Sequence, residues 1–279
     1  MSFSTILYER DGPVAMITLN RPDVRNAQNE QMKDEIDEAL SKSDIDEKVR
    51  VIVLRSSGPS FSAGHDMKQL PRDPVSFGAT EGEKWTDGDS EKVRQFVYKI
   101  FRQFLKIRDV RKPTIAQVQG HCIAAGWVLA SMCDLIVASK DAQFSDPVLR
   151  TGSTGMQVLV EPWDIGFRQA KHLLWTGGAI SASEALRLGL VNRVVPLEDL
   201  EKETMQLANK IALTPFGTLQ ATKRSINRTQ DLMGWRLAQE QHIETWLVSQ
   251  FSNEHKELHA GQADMGVKEF IRRRDQAYK

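Results

Sequence analysis

Apolar positions along this chain follow two rhythms, short β-branched runs and longer stretches of helical spacing. Val14 to Leu19 (VAMITL) is a run of the first kind, closed by the turn signal Asn20-Arg21-Pro22. From Asn29 to Leu40 the rhythm changes, with Met32, Ile36 and Leu40 on one helical face. Val51 to Leu54 (VIVL) reads as a second strand, followed by the loop chemistry of SSGPSFSAG. Residues 92–108 predict an amphipathic helix whose apolar face carries Val93, Phe96, Val97, Ile100, Phe101, Phe104 and Leu105. Thr114 to Val118 and Leu135 to Ala138 supply two further strands. Strands alternating with helices in this way predict an α/β fold with parallel neighbours joined by crossover helices.

Two regions depart from that alternation. Pro71 to Ser90 is polar and turn-rich without a period, and is expected to be a surface loop or a lid over the segment before it. Beyond residue 197 the pattern is helical: LEDLEKETMQLANKIA, then one long helix from about Phe216 through Gln250, then Ala263 to Arg273. Amphipathic helices of this kind need a partner surface, on their own domain or on a neighbouring subunit.

Composition narrows the function classes. The 37 basic residues equal the 37 acidic ones, so no overall field draws the protein to nucleic acid or to an anionic membrane. No stretch reaches the roughly 18 apolar residues of a membrane span, and the N-terminus lacks a signal-peptide pattern. Cys122 and Cys133 fit no metal or redox spacing and read as buried free thiols, suited to a cytoplasmic location.

Candidate chemistry lies in two loops. In SAGHD, a glycine-containing turn after a strand lets backbone N–H groups point at a ligand rather than pair internally. HCIAAG runs directly into an apolar helix, whose first-turn N–H groups are unsatisfied and lie at the positive end of the helix dipole. Two such donors converging on one point would form an oxyanion hole.

Five segments in order resemble the crotonase (enoyl-CoA hydratase/isomerase) superfamily: ITLNRPDVRNAQN (17–29), VIVLRSSGPSFSAGHDMKQL (51–70), PTIAQVQGHCIAAGWVLASMCDLIVASKDAQFSDP (113–147), LLWTGGAISASEALRLGLVNRVVP (173–196) and GVKEFIRRRDQAY (266–278). The resemblance implies a ββα superhelix over residues 1–196 that binds acyl-CoA, and a helical region over 197–279 with trimer contacts. It implies that the oxyanion donors are the N–H groups of His65 and Ala125. Val24 and Arg25 would lie beside CoA, the backbone of Ala63, Gly64, His65, Asp66 and Met67 around the adenine, and Phe270 with Arg273 near the phosphates. In related proteins that last pair arrives from a neighbouring subunit. CoA would enter as part of the substrate, with no separate cofactor or metal, in a homotrimer or hexamer.

The pattern breaks at two places. Hydratases of this superfamily carry two glutamates that act as paired general acid and base. Those positions fall on Val128 and Val148, and the aspartate of the aromatic dehalogenases falls on Met156. FSAGHD also resembles a loop of methylmalonyl-CoA decarboxylase, although the tyrosine of that activity would fall near Gly155. The His65 imidazole is either functional or an outward-facing neighbour of CoA. Asp146 stands at the pocket edge or caps a turn, and Asp66 is expected to hold its loop together. Glu161 and Asp164 are expected to offset a helix dipole, yet Glu161 is the best candidate for an acid or base supplied from a new position. Trp127, Met156 and Trp163 line the acyl pocket or fill the core. These residues predict an acyl-CoA enzyme that stabilises a thioester enolate. Decarboxylation of a malonyl-type CoA, hydrolysis or retro-Claisen C–C cleavage with Glu161 or His65 activating water, and non-catalytic acyl-CoA binding stand as alternatives.

Overall fold

The computed structural model describes residues 3–68, 90–259, 262–276 and 278. The candidate lid at 71–90 falls, but for its last residue, outside the described residues. Among the described residues the longer strands are β1 (Ile6–Asp11), β2 (Val14–Leu19), β3 (Val51–Ser56), β4 (Thr114–Val118) and β6 (Leu135–Ser139), and the three-residue strands are β5 (His121–Ile123), β7 (Gln143–Ser145), β8 (Ala179–Ser181) and β9 (Arg193–Val195). They form a six-stranded sheet in the order β1-β2-β3-β4-β6-β9 and a three-stranded sheet in the order β5-β7-β8. In the large sheet β1 runs antiparallel to β2 and every other pair is parallel.

Side chains alternate across that sheet with a period of two, and both faces are buried. Ala15, Ile17, Leu19, Ile52, Leu54, Ala116, Val118, Ile136 and Ala138 enter the main core. Their neighbours Val14, Met16, Val51, Val53, Ile115, Val137 and Val195 form a second core on the opposite face. That face is closed by α7 (Leu200–Ala212), which contributes Leu200 and Ala208 and packs on β3, β4 and β6. A sheet buried on both faces needs near-continuous apolar strands, which explains the all-buried VAMITL of β2.

Helices α1 (Glu30–Ile45), α2 (Ser90–Asp109) and α3 (Ala125–Ser131) lie over the main core. Asn29 caps α1 by accepting the Met32 N–H at 2.9 Å. After the short helices α4 (Glu161–Asp164), α5 (Phe167–Thr176) and α6 (Ala182–Leu188), the C-terminal region folds back on this chain's own body. The single long helix expected from Phe216 to Gln250 is two, α8 (Phe216–Leu232) and α9 (Trp235–Gln250). Gly234, with φ of 99°, breaks it, because a left-handed residue cannot continue a right-handed helix. Trp235, Ile243 and Trp246 of α9 join the main core. Two last helices follow, α10 (Asn253–His259) and α11 (Gln262–Gln276), the latter kinked at Gly266. Helix α11 is fixed by Arg150, which pairs with Asp275 at 3.0 Å. No helix among the described residues is long and apolar enough to cross a membrane.

Candidate functional site

Two loops meet at the end of α3. The first begins at Ser62, whose hydroxyl accepts the Gly64 N–H at 3.2 Å and donates to the Asn26 carbonyl at 2.8 Å. The Ile123 N–H of the second loop donates to the Ser62 carbonyl at 2.9 Å. Contact is so close that two glycines are obligatory. A Cβ on Gly64, whose φ is 90°, would stand 2.9 Å from the Ile123 carbonyl and 3.5 Å from the Ala125 nitrogen. A Cβ on Gly126 would stand 2.6 Å from the Ser62 carbonyl oxygen.

This packing leaves specific donors open. Gln28 N–H donates to Gly64 O at 2.8 Å and Asp66 N–H to Gln28 O at 3.0 Å, a parallel bridge centred on His65. In that pattern the middle residue's own N–H points away from its partner strand. Among the described residues no acceptor receives the His65 N–H. Across the gap, Ala124 N–H is taken by the Ser145 carbonyl at 2.9 Å, and Ala125 follows as the first residue of α3, a position whose N–H has no intrahelical acceptor. Ala124 adopts φ of 51° and ψ of −114°, strain of about 1–3 kcal/mol held at the point where the second loop turns into the helix.

The neighbouring candidates sort clearly. Ala63 N–H donates to Arg25 O at 2.9 Å, so Val24 and Arg25 lie against the first loop, and the Arg25 side chain is exposed. With the N–H groups of Ala63, Gly64 and Asp66 engaged inside the protein, a ligand along 63–66 meets carbonyl oxygens and the single free donor of His65. Asp66 holds Arg21 at 2.9 Å and accepts the Lys68 N–H at 3.1 Å, the loop-bracing role expected of it. Met67 is half-buried beside it. Phe270 is buried on α11, and Arg273 pairs with Glu269 of its own helix at 3.0 Å.

The His65 imidazole turns inward rather than to solvent. Its Nε2 faces Gln157 Oε1 at 3.0 Å, its ring lies 6.4 Å from that of Phe104, and its buried Nδ1 has no partner among the described residues. Desolvation, then the nearby Lys33 charge, against the opposing Gln157 bond, bring its pKa down to about 3, so the ring is neutral at pH 7. Lys33 is itself buried and paired with Glu30. Gln157 belongs to a loop clasped by α9: Gln239 bonds both the N–H and the carbonyl of Leu159 at 2.8 and 3.0 Å, and His242 Nε2 meets Met156 O at 2.8 Å. None of these three polar residues was singled out by the sequence. Gly152 and Gly155, just ahead of this stretch, were the available signal.

Val128 is wholly buried and Val148 half-buried, both without a titratable group. Carboxyl groups arrive from elsewhere. Asp146 follows directly on Ser145, the residue that holds Ala124, and is fully buried. Its Oδ1 accepts the Val148 N–H at 3.0 Å, while Oδ2 has no partner among the described residues. Glu161, 1% exposed, does not cap α4: among the described residues neither of its oxygens receives a donor. Burial first, then the Asp146 charge, push the Glu161 pKa well up, and burial lifts Asp146 to about 6. Asp164 instead ties α4 to α3, accepting from Trp127 Nε1 at 3.0 Å and Ser131 Oγ at 2.5 Å. Trp127 is thereby a core residue, edge-on to Phe144 at 5.8 Å. Met156 is also buried in the core, with Trp163 packed against it.

Asp164 yields a pH prediction. Burial, opposed by its Ser131 and Trp127 bonds, raises its pKa from 3.8 to about 6. The folded state then binds a proton that the unfolded chain releases between those values. Its contribution is therefore fully present at low pH and lost as pH rises through about 6. Asp164→Asn should raise stability at pH 8 by about 1–2 kcal/mol, allowing for the residue's partly exposed edge, and lose that advantage near pH 4. Denaturant midpoints of both proteins across this range are the check, and an advantage independent of pH would contradict it.

A ββα core of parallel strands and two glycine-locked loops meeting at the start of a buried helix define a class of fold. A family model for enoyl-CoA hydratase/isomerase matches residues 9–279, and the chain belongs to that family. Among its relatives, EchA13 of Mycobacterium tuberculosis, itself a hydratase by provisional assignment, is 41% identical over 251 residues, spanning 85% of this chain and 77% of that protein. The short-chain-enoyl-CoA hydratase of Clostridium acetobutylicum is 32% identical over 233 residues, 82% of this chain and 83% of that one. The crystal structure of an enoyl-CoA hydratase/isomerase from Xanthobacter autotrophicus Py2 superposes with a TM-score of 0.87 at 30% identity, covering 100% of both chains.

Proposed function

We propose that this protein is an enzyme acting on acyl-CoA thioesters, which stabilises a thioester enolate between the N–H groups of His65 and Ala125. The observation that supports this reading is the close approach of the two loops, where a Cβ on Gly64 would stand 3.5 Å from the Ala125 nitrogen, next to the His65 N–H that no acceptor receives among the described residues. Donors fixed before the reaction stabilise a developing oxyanion without reorganisation, each worth about 2.7–4 kcal/mol. CoA passes Val24 and the exposed Arg25, whose guanidinium suits phosphate. Phe270 and Arg273 close over the phosphates from a neighbouring subunit of a trimer, and the exposed Ile226, Leu232, Met233 and Leu237 of the α8–α9 region suit such an assembly.

His65, neutral at pH 7, is a weak base and acts through its backbone. The test is incubation of a panel of acyl-CoA thioesters in heavy water, read by mass spectrometry. Deuterium at the α-carbon, or addition of water, is the expected result. Binding without exchange, addition or cleavage for every thioester would leave a non-catalytic acyl-CoA binder.

A further inference from the structure

Among the described residues the His65 ring makes one hydrogen bond, and it leads out of its own loop to a stretch of chain that α9 holds. Gln157 is 2% exposed, and its Oε1 meets His65 Nε2 at 3.0 Å. An amide oxygen only accepts, so Nε2 carries the proton of the neutral ring and Nδ1 is bare. Nδ1 is buried with no partner among the described residues, so the ring is tied at Nε2 alone. Gln157 is fixed in turn by its neighbours. His242 Nε2 meets Met156 O at 2.8 Å before it, and Gln239 brackets Leu159 after it, at 2.8 and 3.0 Å. Earlier in the loop, Gln250 Nε2 donates to Ser153 Oγ at 3.1 Å. All three of these side chains belong to α9, which Trp235, Ile243 and Trp246 seat in the main core.

We propose that Gln157 is a positioning residue, which holds the His65 N–H on the thioester oxygen by gripping the imidazole ring. This rests on the enolate reading above. Gln28 braces the same loop through Gly64 O and the Asp66 N–H, at 2.8 and 3.0 Å. Both of those bonds lie along one edge of the loop, so alone they form a hinge about which residue 65 can tilt. The imidazole leaves the loop out of the plane of those bonds, and a bond at its tip opposes the tilt. The effect on rate is steep, because a misplacement of about 1 Å at a reacting centre can cost about 10²-fold. Helix α9 thus sets the donor's direction through Gln157 without touching the substrate.

The test uses the full chain with butyryl-CoA carrying ¹³C at its thioester carbonyl, in native, Gln157→Met, Gln239→Met and doubly substituted proteins. Two spectroscopic readouts are taken: the infrared carbonyl band of the bound ligand and the ¹⁵N shifts of the His65 ring. The native ring should show a protonated Nε2 and a bare Nδ1 at pH 7, and Gln157→Met a mixture of tautomers. Gln157→Met should lose most of the native carbonyl shift while its Kd for butyryl-CoA stays the same. Gln239→Met should lose a smaller part, and the double variant no more than Gln157→Met, because both act along one chain of contacts. A full carbonyl shift in Gln157→Met, or a native ring protonated at Nδ1, overturns the positioning role and keeps the enolate reading. If Gln157→Met does not fold, Gln239→Met decides in its place, and a full shift there overturns the role. Losses that add in the double variant overturn the route through α9. No carbonyl shift on the native protein, or no binding, overturns the enolate reading and the positioning role together.

Discussion

Gly64→Ala is expected to lower turnover about 10²–10³-fold while the protein still folds and still binds CoA. At φ of 90° the alanine is strained, and its Cβ would stand 2.9 Å from the Ile123 carbonyl. Relief requires the first loop to retreat from the second. Retreat separates the His65 N–H from the Ala125 N–H, and one donor no longer reaches the oxyanion. The bridge from Gln28 to residues 64 and 66 anchors the loop's far side, so the damage stays local. Paired measurements of kcat and CoA affinity check this, and native turnover in the alanine protein would show that the donor geometry is not used.

The second large effect is on stability. Val128→Glu should cost about 3–5 kcal/mol, because the side chain is 0% exposed and a carboxyl there gains no donor. The adjacent Trp127 already ties α3 to Asp164, whose charged form burial disfavours. Val148→Glu should be far milder, since Val148 is half-buried at the start of a turn. A glutamate placed at 128 is therefore expected to destabilise the protein rather than to serve as an acid or base there. Urea midpoints of the two variants test the contrast, and equal stabilities would mean that the 128 site has room the packing does not show.

Legibility from sequence followed the range of the interactions. Strands β2 and β4 were readable to the residue, because apolar β-branched runs bounded by turn chemistry need only local information. Strand β1 was missed: ILYERD is an edge strand whose outer positions are polar. The three-residue strands β5, β7 and β8 carry too few positions for any period to appear. The break at Gly234 was hidden because helical spacing continues on both sides.

The site divides in the same way. Gly64, His65 and Ala125 lie in two loops whose glycines announce close contact. Asp146 and Glu161 are separated by a loop and meet only through tertiary packing, so capping was the natural reading for an acid at a helix start. The structure removes it for Glu161, which caps nothing. An acid inside the apolar run VLVEPW was the signal that it is buried rather than solvated.

The central claim is that the His65 and Ala125 N–H groups grip a thioester oxygen together. Difference infrared spectroscopy of an acyl-CoA with an isotope-labelled thioester carbonyl, bound at saturation, measures that grip directly. The carbonyl band should shift to lower frequency on the native protein and return toward its solution position on Gly64→Ala. A band unshifted on the native protein, with the ligand fully bound, would contradict the account.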